Sequence, residues 1–158
     1  MKNLTNEKYI IDAVNKYSDT VFRVAFQYTK SRADAEDILQ EVFLKLFKKS
    51  PQLSIDDDGL KAWLIRVTIN KSKDYLRTIK RRRALVRNYK PPEQVSPYDE
   101  VFEALNQLSE LDRNALYLYY YEGYTAKEIA RIVGGSERAI TKRIGRAREK
   151  LKIFLEEE

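Results

Sequence analysis

The stretch TAKEIARIVGGSERAITKRIGRAREKL, residues 125–151, holds two helices and the break between them. Thr125 with Glu128 three residues on is a capping box, in which each side chain satisfies a backbone N–H of the other residue. It opens a helix through Ile129, Ala130 and Val133. Gly134 and Gly135 break that helix, and Ser136 offers an N-cap oxygen to the next. The second helix carries Ile140, Ile144, Ala147 and Leu151 on one face. Such a helix, glycine turn and longer basic helix form a helix-turn-helix. Small or apolar residues are needed where the two helices cross, and Ala130, Val133, Ile140 and Ile144 supply them. Polar residues are needed at the start of the second helix, and Glu137, Arg138, Thr141 and Lys142 stand there, followed by Arg143, Arg146 and Arg148. Arginine engages guanine with two parallel hydrogen bonds and lysine suits phosphate, so this composition fits entry into a DNA groove. The competing reading is an antiparallel helix pair with a solvated basic face.

Outward from this motif, Ser109 with Asp112 resembles another N-cap, opening a helix through Leu111, Ala115, Leu116 and Tyr119 that Gly123 ends. Val101, Leu105 and Leu108 line a shorter helix before it. Tyr117, Tyr119, Tyr120, Tyr121 and Tyr124 cannot all face inward; most are expected to pack between helices, with a share left for a protein interface. Three of the four prolines fall in KPPEQVSPYDE, residues 90–100, which therefore cannot be a continuous helix. We place a linker at residues 88–98 between a first domain, residues 1–87, and a second, residues 99–158. Charge changes sharply there: residues 71–90 hold nine Lys or Arg and one acid, residues 91–112 six acids and no base, and residues 137–152 seven bases and two acids. Two basic surfaces flanking an acidic connector fit two contacts with one polyanion.

The first domain also has a helical period. Ile10, Ile11, Val14 and Tyr17 repeat at helical spacing, as do Val21, Val24, Ala25 and Tyr28. Residues 33–49 place Ile38, Val42 and Leu46 on one stripe with Leu39, Phe43 and Phe47 beside it, and Ser50 and Pro51 end that helix. Asp56, Asp57, Asp58 and Gly59 read as a loop, after which a helix starts near Leu60 and runs through Trp63, Leu64, Val67, Tyr75 and Leu76 towards Arg83. Nothing alternates with period two for long enough to make a sheet. The expected fold is all-α, two small helical domains joined by a proline-containing linker.

The 158 residues are 43% hydrophobic and 34% charged, with a net charge of +6. That balance favours an anionic partner. With no cysteine and no histidine, disulfides, Cys/His zinc sites, and thiol or Ser-His catalysis are excluded. No apolar run reaches the length of a membrane span, and Asp12 interrupts the only apolar cluster near the start, so a soluble cytoplasmic protein is expected. No glycine-rich phosphate loop is present among the five glycines.

Two further constellations carry possible chemistry. Arg66, Asn70, Lys73, Arg77 and Lys80 lie along one helical stripe ending in Arg81, Arg82 and Arg83, a cationic rail suited to phosphates, with Trp63 and Tyr75 as possible stacking groups. Asp34, Asp37 and Glu41 lie on one face with Gln40 adjacent and no base nearby. They read as a docking face for a basic partner, as an Asp-x-x-Asp magnesium cage completed by Asp56, Asp57 and Asp58, or as an acidic first turn favoured by the helix dipole.

Together these residues resemble a family. DAEDILQEVFLKL, residues 34–46, looks like conserved region 2.2 of bacterial sigma factors. WLIRVTIN, residues 63–70, with Asp74, Tyr75, Leu76 and Arg77, resembles regions 2.3 and 2.4. Ala104, Leu105 and Leu108, then residues 123–151, resemble region 4. The order and size are similar to those of the extracytoplasmic-function group of the sigma-70 family, with the divergent group controlling toxin and bacteriocin genes as the alternative.

The resemblance implies roles residue by residue. Asp37, Gln40 and Glu41, with Asp34 before them, match the motif that docks on the β′ clamp helices of core RNA polymerase. Asn70 matches a position that helps hold the −10 element, with Arg66, Lys73, Arg77 and Lys80 on the same stripe. Thr141, Lys142 and Arg146 match positions that read the −35 element, with Arg138 and Arg143 on phosphates. It also implies contact with the polymerase β subunit, control by an anti-sigma protein, no cofactor, metal or small-molecule substrate, and no covalent chemistry. The chain departs from the family's usual Thr-Val-Lys-Ser-Arg at residues 139–143, from a bulky residue at Gly145, and from a proline after Leu108. Promoter base preference is therefore not carried over. A helix-turn-helix repressor binding as a dimer and a carboxylate-metal enzyme are the readings from other classes.

Overall fold

Helix α1 (Lys2–Thr29), α2 (Arg32–Lys49) and α3 (Asp57–Leu85) build the first half of the chain in the computed structural model, which describes residues 2–50, 55–86 and 104–156. The connection from α1 to α2 takes two residues. Lys30 has a left-handed φ of 53°, its N–H reaches the Phe26 carbonyl at 2.8 Å, and the Ser31 hydroxyl caps α2 by accepting from the Asp34 N–H. The two helices then share one core. Tyr17, Val21 and Ala25 of α1 meet Ala35, Ile38, Val42 and Leu46 of α2 and Leu60, Leu64 and Val67 of α3.

Three expectations for this half are corrected. Ile11 is exposed, and Ala13, about 200° round the helix from it, is buried in the core instead. Phe47 is exposed as well, about 100° round the helix from Leu46 and off the Ile38–Val42–Leu46 stripe. The three aspartates are a helix start: Asp56 is the N-cap, its carboxylate accepting from the Gly59 N–H at 2.7 Å, and α3 begins at Asp57. Carboxylates suit that place because a helix N-terminus carries unpaired N–H groups and a positive dipole end. Asp57 also binds Lys16 of α1, and its carbonyl accepts from the Tyr17 hydroxyl at 3.3 Å, so the first turn of α3 is tied to α1.

The chain divides into two units, Met1–Glu93 and Gln94–Glu158. The linker assigned to residues 88–98 and the apolar position Val101 lie outside the described residues. In the second unit, α4 (Glu110–Leu116) passes into a π-helical turn (Tyr117–Tyr121), followed by α5 (Ala126–Val133) and α6 (Glu137–Glu156). No strand occurs among the described residues, so the all-α fold is as expected. The Ser109 hydroxyl caps α4 by accepting from the Asp112 N–H at 3.2 Å, and the Thr125–Glu128 capping box is present in both directions. Leu118, Ile129, Ile132, Ile140, Ile144 and Ala147 are buried together with Ala115 and Leu116. Buried Arg113 extends to the Leu105 carbonyl and the Asn106 side chain, fastening α4 to the short helical segment at residues 104–106. Leu111, expected in the core, is exposed, because the α4 face holding Arg113, Asn114 and Ala115 turns inward instead.

Leu46 is fully buried among three helices, so Leu46→Ala is expected to cost about 2–5 kcal/mol in denaturant unfolding. The capping box has its own signature. The Thr125 backbone N–H and then its hydroxyl hold the Glu128 carboxyl below its usual 4.5. A lowered folded-state pKa stabilises above the unfolded value and is lost as pH falls through the folded one. As pH falls below about 5 the wild type is therefore expected to lose more stability than Glu128→Gln, as read from urea midpoints.

Candidate nucleic-acid interface

The turn before α6 sets its rotation. Gly134 and Gly135 have φ of 91° and 101°, a region that admits glycine without strain. The Ser136 hydroxyl then accepts from the Ala139 N–H at 3.1 Å, fixing the first turn. Burial of Ile140, Ile144 and Ala147 points the opposite side of α6 outward, and Arg138, Thr141, Lys142 and Arg146 are exposed there. The Thr141 hydroxyl donates to the Glu137 carbonyl at 2.9 Å.

Arg143 is elsewhere. Its guanidinium donates to the Asp112 carboxylate of α4 at 2.8 Å, with the Asp112 side chain only 15% exposed. The pair makes Arg143 a strut between α4 and α6. The partners are 31 residues apart, and no local pattern in the sequence pairs them.

The tyrosines also differ from expectation: Tyr119, Tyr120 and Tyr121 are all exposed, and Tyr117 and Tyr124 are half-buried. A π turn holds more residues than an α turn, so the inward positions slip past Leu118 and three successive rings face out. Tyr117 stacks on Tyr121 with ring centres 5.2 Å apart, and Tyr120 accepts from Arg148 of α6 at 2.8 Å.

In the first unit, α3 buries Leu64, Ile65, Val67, Thr68, Ile69 and Ser72. That leaves one open stripe, along which Arg66, Asn70, Arg77 and Lys80 are exposed and Lys73 is half-buried. Arg77 pairs within the helix with Asp74 at 3.1 Å. Trp63 and Tyr75 are half-buried and pack against the core.

On α2, Asp37, Gln40 and Glu41 are exposed. Asp34 is half-buried and accepts the Tyr75 hydroxyl of α3, so it stands apart from the open acidic face. Glu41 lies 3.6 Å from Lys71, and a cleft of about 400 Å³ runs between α2 and α3 past Asp34, Asp37, Glu41, Lys71 and Tyr75. Sequence reasoning missed two residues here. Leu44 and Phe47, 54% and 51% exposed, continue the acidic face along α2; their spacing of three and seven from Glu41 and Gln40 was the available signal. Asp56 and Asp57 are committed to the cap and to Lys16, and among the described residues no three Asp or Glu side chains converge as a metal site would require.

The comparisons with known proteins agree with this layout. Sigma-70 region 2 matches residues 13–83, and Sigma-70, region 4 matches residues 98–151. The ECF RNA polymerase sigma factor SigM of Bacillus subtilis is 31% identical over 148 residues, covering 87% of this chain and 90% of that protein. A probable RNA polymerase sigma factor, RfaY of Xanthomonas campestris, is 33% identical over 150 residues; the match covers 85% of this chain and 37% of the RfaY length. Among solved structures, the sigma factor RpoE of Bartonella quintana, crystallised with the anti-sigma factor NepR, superposes with a TM-score of 0.82 over 94% of this chain and 98% of that one, at 23% identity. Among the described residues no helix is long and apolar enough to cross a membrane. With both sigma-70 regions matched in order and SigM aligned over nearly its whole length, the chain belongs to the ECF group of the sigma-70 family of RNA polymerase sigma factors.

Proposed function

We propose that this chain joins bacterial core RNA polymerase and directs it to promoters, reading a −35 element with α6 and holding a −10 element on α3. The observation that carries this reading is the exposed Asp37–Gln40–Glu41 face of α2 on a chain of net charge +6. An acidic face is of no use against DNA and is suited to a basic protein surface such as the β′ clamp helices. Leu44 and Phe47 beside it add apolar contact area. The β subunit is the second polymerase contact.

On α3, Arg66, Asn70, Lys73, Arg77 and Lys80 follow the melted strand, with the cations on phosphates and Asn70 on a base edge. On α6, Thr141, Lys142 and Arg146 meet base edges in the major groove, and Arg138 holds a phosphate. Each contact is weak alone. Polymerase sets the two units against two promoter elements, and the second contact gains from the effective concentration that the first creates. Bases unstacked from the −10 element cost a few kcal/mol, offset by their contacts on the protein. The protein itself performs no bond chemistry and needs no cofactor. It works in the cytoplasm, where its polymerase is, and a protein that covers the α2 and α6 surfaces would silence it. The complex of RpoE with NepR supports an anti-sigma protein as that inhibitor.

Equilibrium binding to core polymerase without DNA tests the docking face. Tight binding is expected, with a loss of at least tenfold in Glu41→Lys at unchanged thermal stability; binding by a folded Glu41→Lys equal to wild type would refute the assignment. The α6 roles separate by a different pair. Arg138→Ala is expected to keep its stability and to lower the slope of log promoter affinity against log salt by about 1. Arg143→Ala leaves the Asp112 carboxylate of the pair without its cation, so it should lower the unfolding midpoint and leave that slope close to wild type.

A further inference from the structure

Gly145 lies in the middle of α6 on ordinary helical backbone, and a Cβ added there would meet no atom within 4 Å. The other glycines have local causes. Gly123, Gly134 and Gly135 have positive φ, and a Cβ on Gly59 would sit 2.9 Å from the Asp56 carboxylate. Glycine inside a helix is less favourable than alanine, yet at residue 145 neither the backbone nor the packing requires it. Its consequence is outside the helix.

The missing side chain opens a notch of about 290 Å³, bounded by Thr141, Ile144 and Arg148 of α6, by Thr125 and Ala126 at the start of α5, and by Tyr119 of the π turn. The polar atoms around it are largely committed. The Thr125 hydroxyl accepts from the Glu128 N–H at 3.1 Å, the Thr141 hydroxyl donates to the Glu137 carbonyl at 2.9 Å, and Arg148 donates to Tyr120 at 2.8 Å. The rest of the lining is Ile144, Ala126 and Tyr119, and carbon makes up the larger part of the notch surface. Among base edges in the major groove, the apolar feature is the C5-methyl of thymine.

We infer that Gly145 is a specificity-determining position, at which the notch receives a thymine methyl group of the −35 element. The inference rests on the promoter reading of α6 given above, since Thr141 both borders the notch and stands among the proposed base-reading residues. A side chain at 145 would occupy the space and exclude the methyl group.

The test uses the full-length protein with bacterial core RNA polymerase on a duplex promoter library randomised across the −35 element. Each preferred thymine is then replaced by deoxyuridine, which removes the methyl group alone. Wild type is expected to favour thymine at one position and to lose about fourfold in transcription there on replacement, the worth of one buried carbon. Gly145→Leu fills the notch and should abolish that methyl dependence while responding normally elsewhere; Gly145→Ala should weaken it. Gly145→Ala should melt no lower than wild type, because its Cβ meets open space, and Gly145→Leu should remain folded with its longer side chain lying in the notch. Equal deoxyuridine effects in wild type and both variants would overturn the notch and leave the promoter reading standing. Absence of any promoter-selective transcription by wild type would overturn the promoter reading and this inference with it.

Discussion

Burial of the Ile38, Val42 and Leu46 stripe between α1 and α3 fixes the rotation of α2, and the function of the first unit depends on that rotation. A helix turns about 100° per residue, so a slip of one position would carry Asp37 and Glu41 round towards the core, where unpaired carboxylates cost several kcal/mol. The apolar stripe excludes that slip. The same logic holds α3, where Leu64 and Val67 face inward and the Arg66–Asn70–Lys73–Arg77–Lys80 stripe is left outward. The exposed faces are therefore set by residues that are themselves buried.

The two signs of charge stand on adjacent helices and are kept apart by the contacts between them. Lys71 lies 3.6 Å from Glu41, and Tyr75 satisfies Asp34. Asp34 and Lys71 close the seam between the acidic face of α2 and the cationic rail of α3, while Asp37 and Gln40 stay open on the outer side. Exposed ion pairs contribute little to stability. Their consequence here is spatial: the field changes sign across a single helix–helix groove, so DNA and a basic protein surface are drawn to different sides of one small domain.

Much of this was legible in the sequence, and the reason is local. The capping box at Thr125 and Glu128, the Gly134–Gly135 turn and the Ser109 and Ser136 caps each act within four residues, and all are present. The acidic face and the cationic stripe needed only the helical period. What escaped is what depends on distance or on an irregular turn. Arg143 reads as one more basic residue of a recognition helix until Asp112 of α4 is seen beside it. The π turn changes the period within YLYYY, residues 117–121, so a pattern based on regular α-helix misplaces three tyrosines at once. Asp56 was read as loop because three aspartates and a glycine satisfy a turn and a helix start equally well; only the 2.7 Å contact to the Gly59 N–H distinguishes them.

The second unit shows how a small domain can spare stability for reading. Its core is closed by Leu118, Ile129, Ile132, Ile140, Ile144 and Ala147, and the buried Arg113 and half-buried Arg143 are engaged as struts between segments. Two arginines of a basic domain thus serve the frame, and the remaining cations of α6 serve the surface. A frame braced by charge pairs holds α6 at a fixed setting while its outer face can differ from relatives at Thr141, Lys142 and Gly145 without disturbing Ile140, Ile144 or Ala147. Helical periodicity separates the two sets of positions, so the outer stripe of α6 can change while the fold is maintained by the inner one.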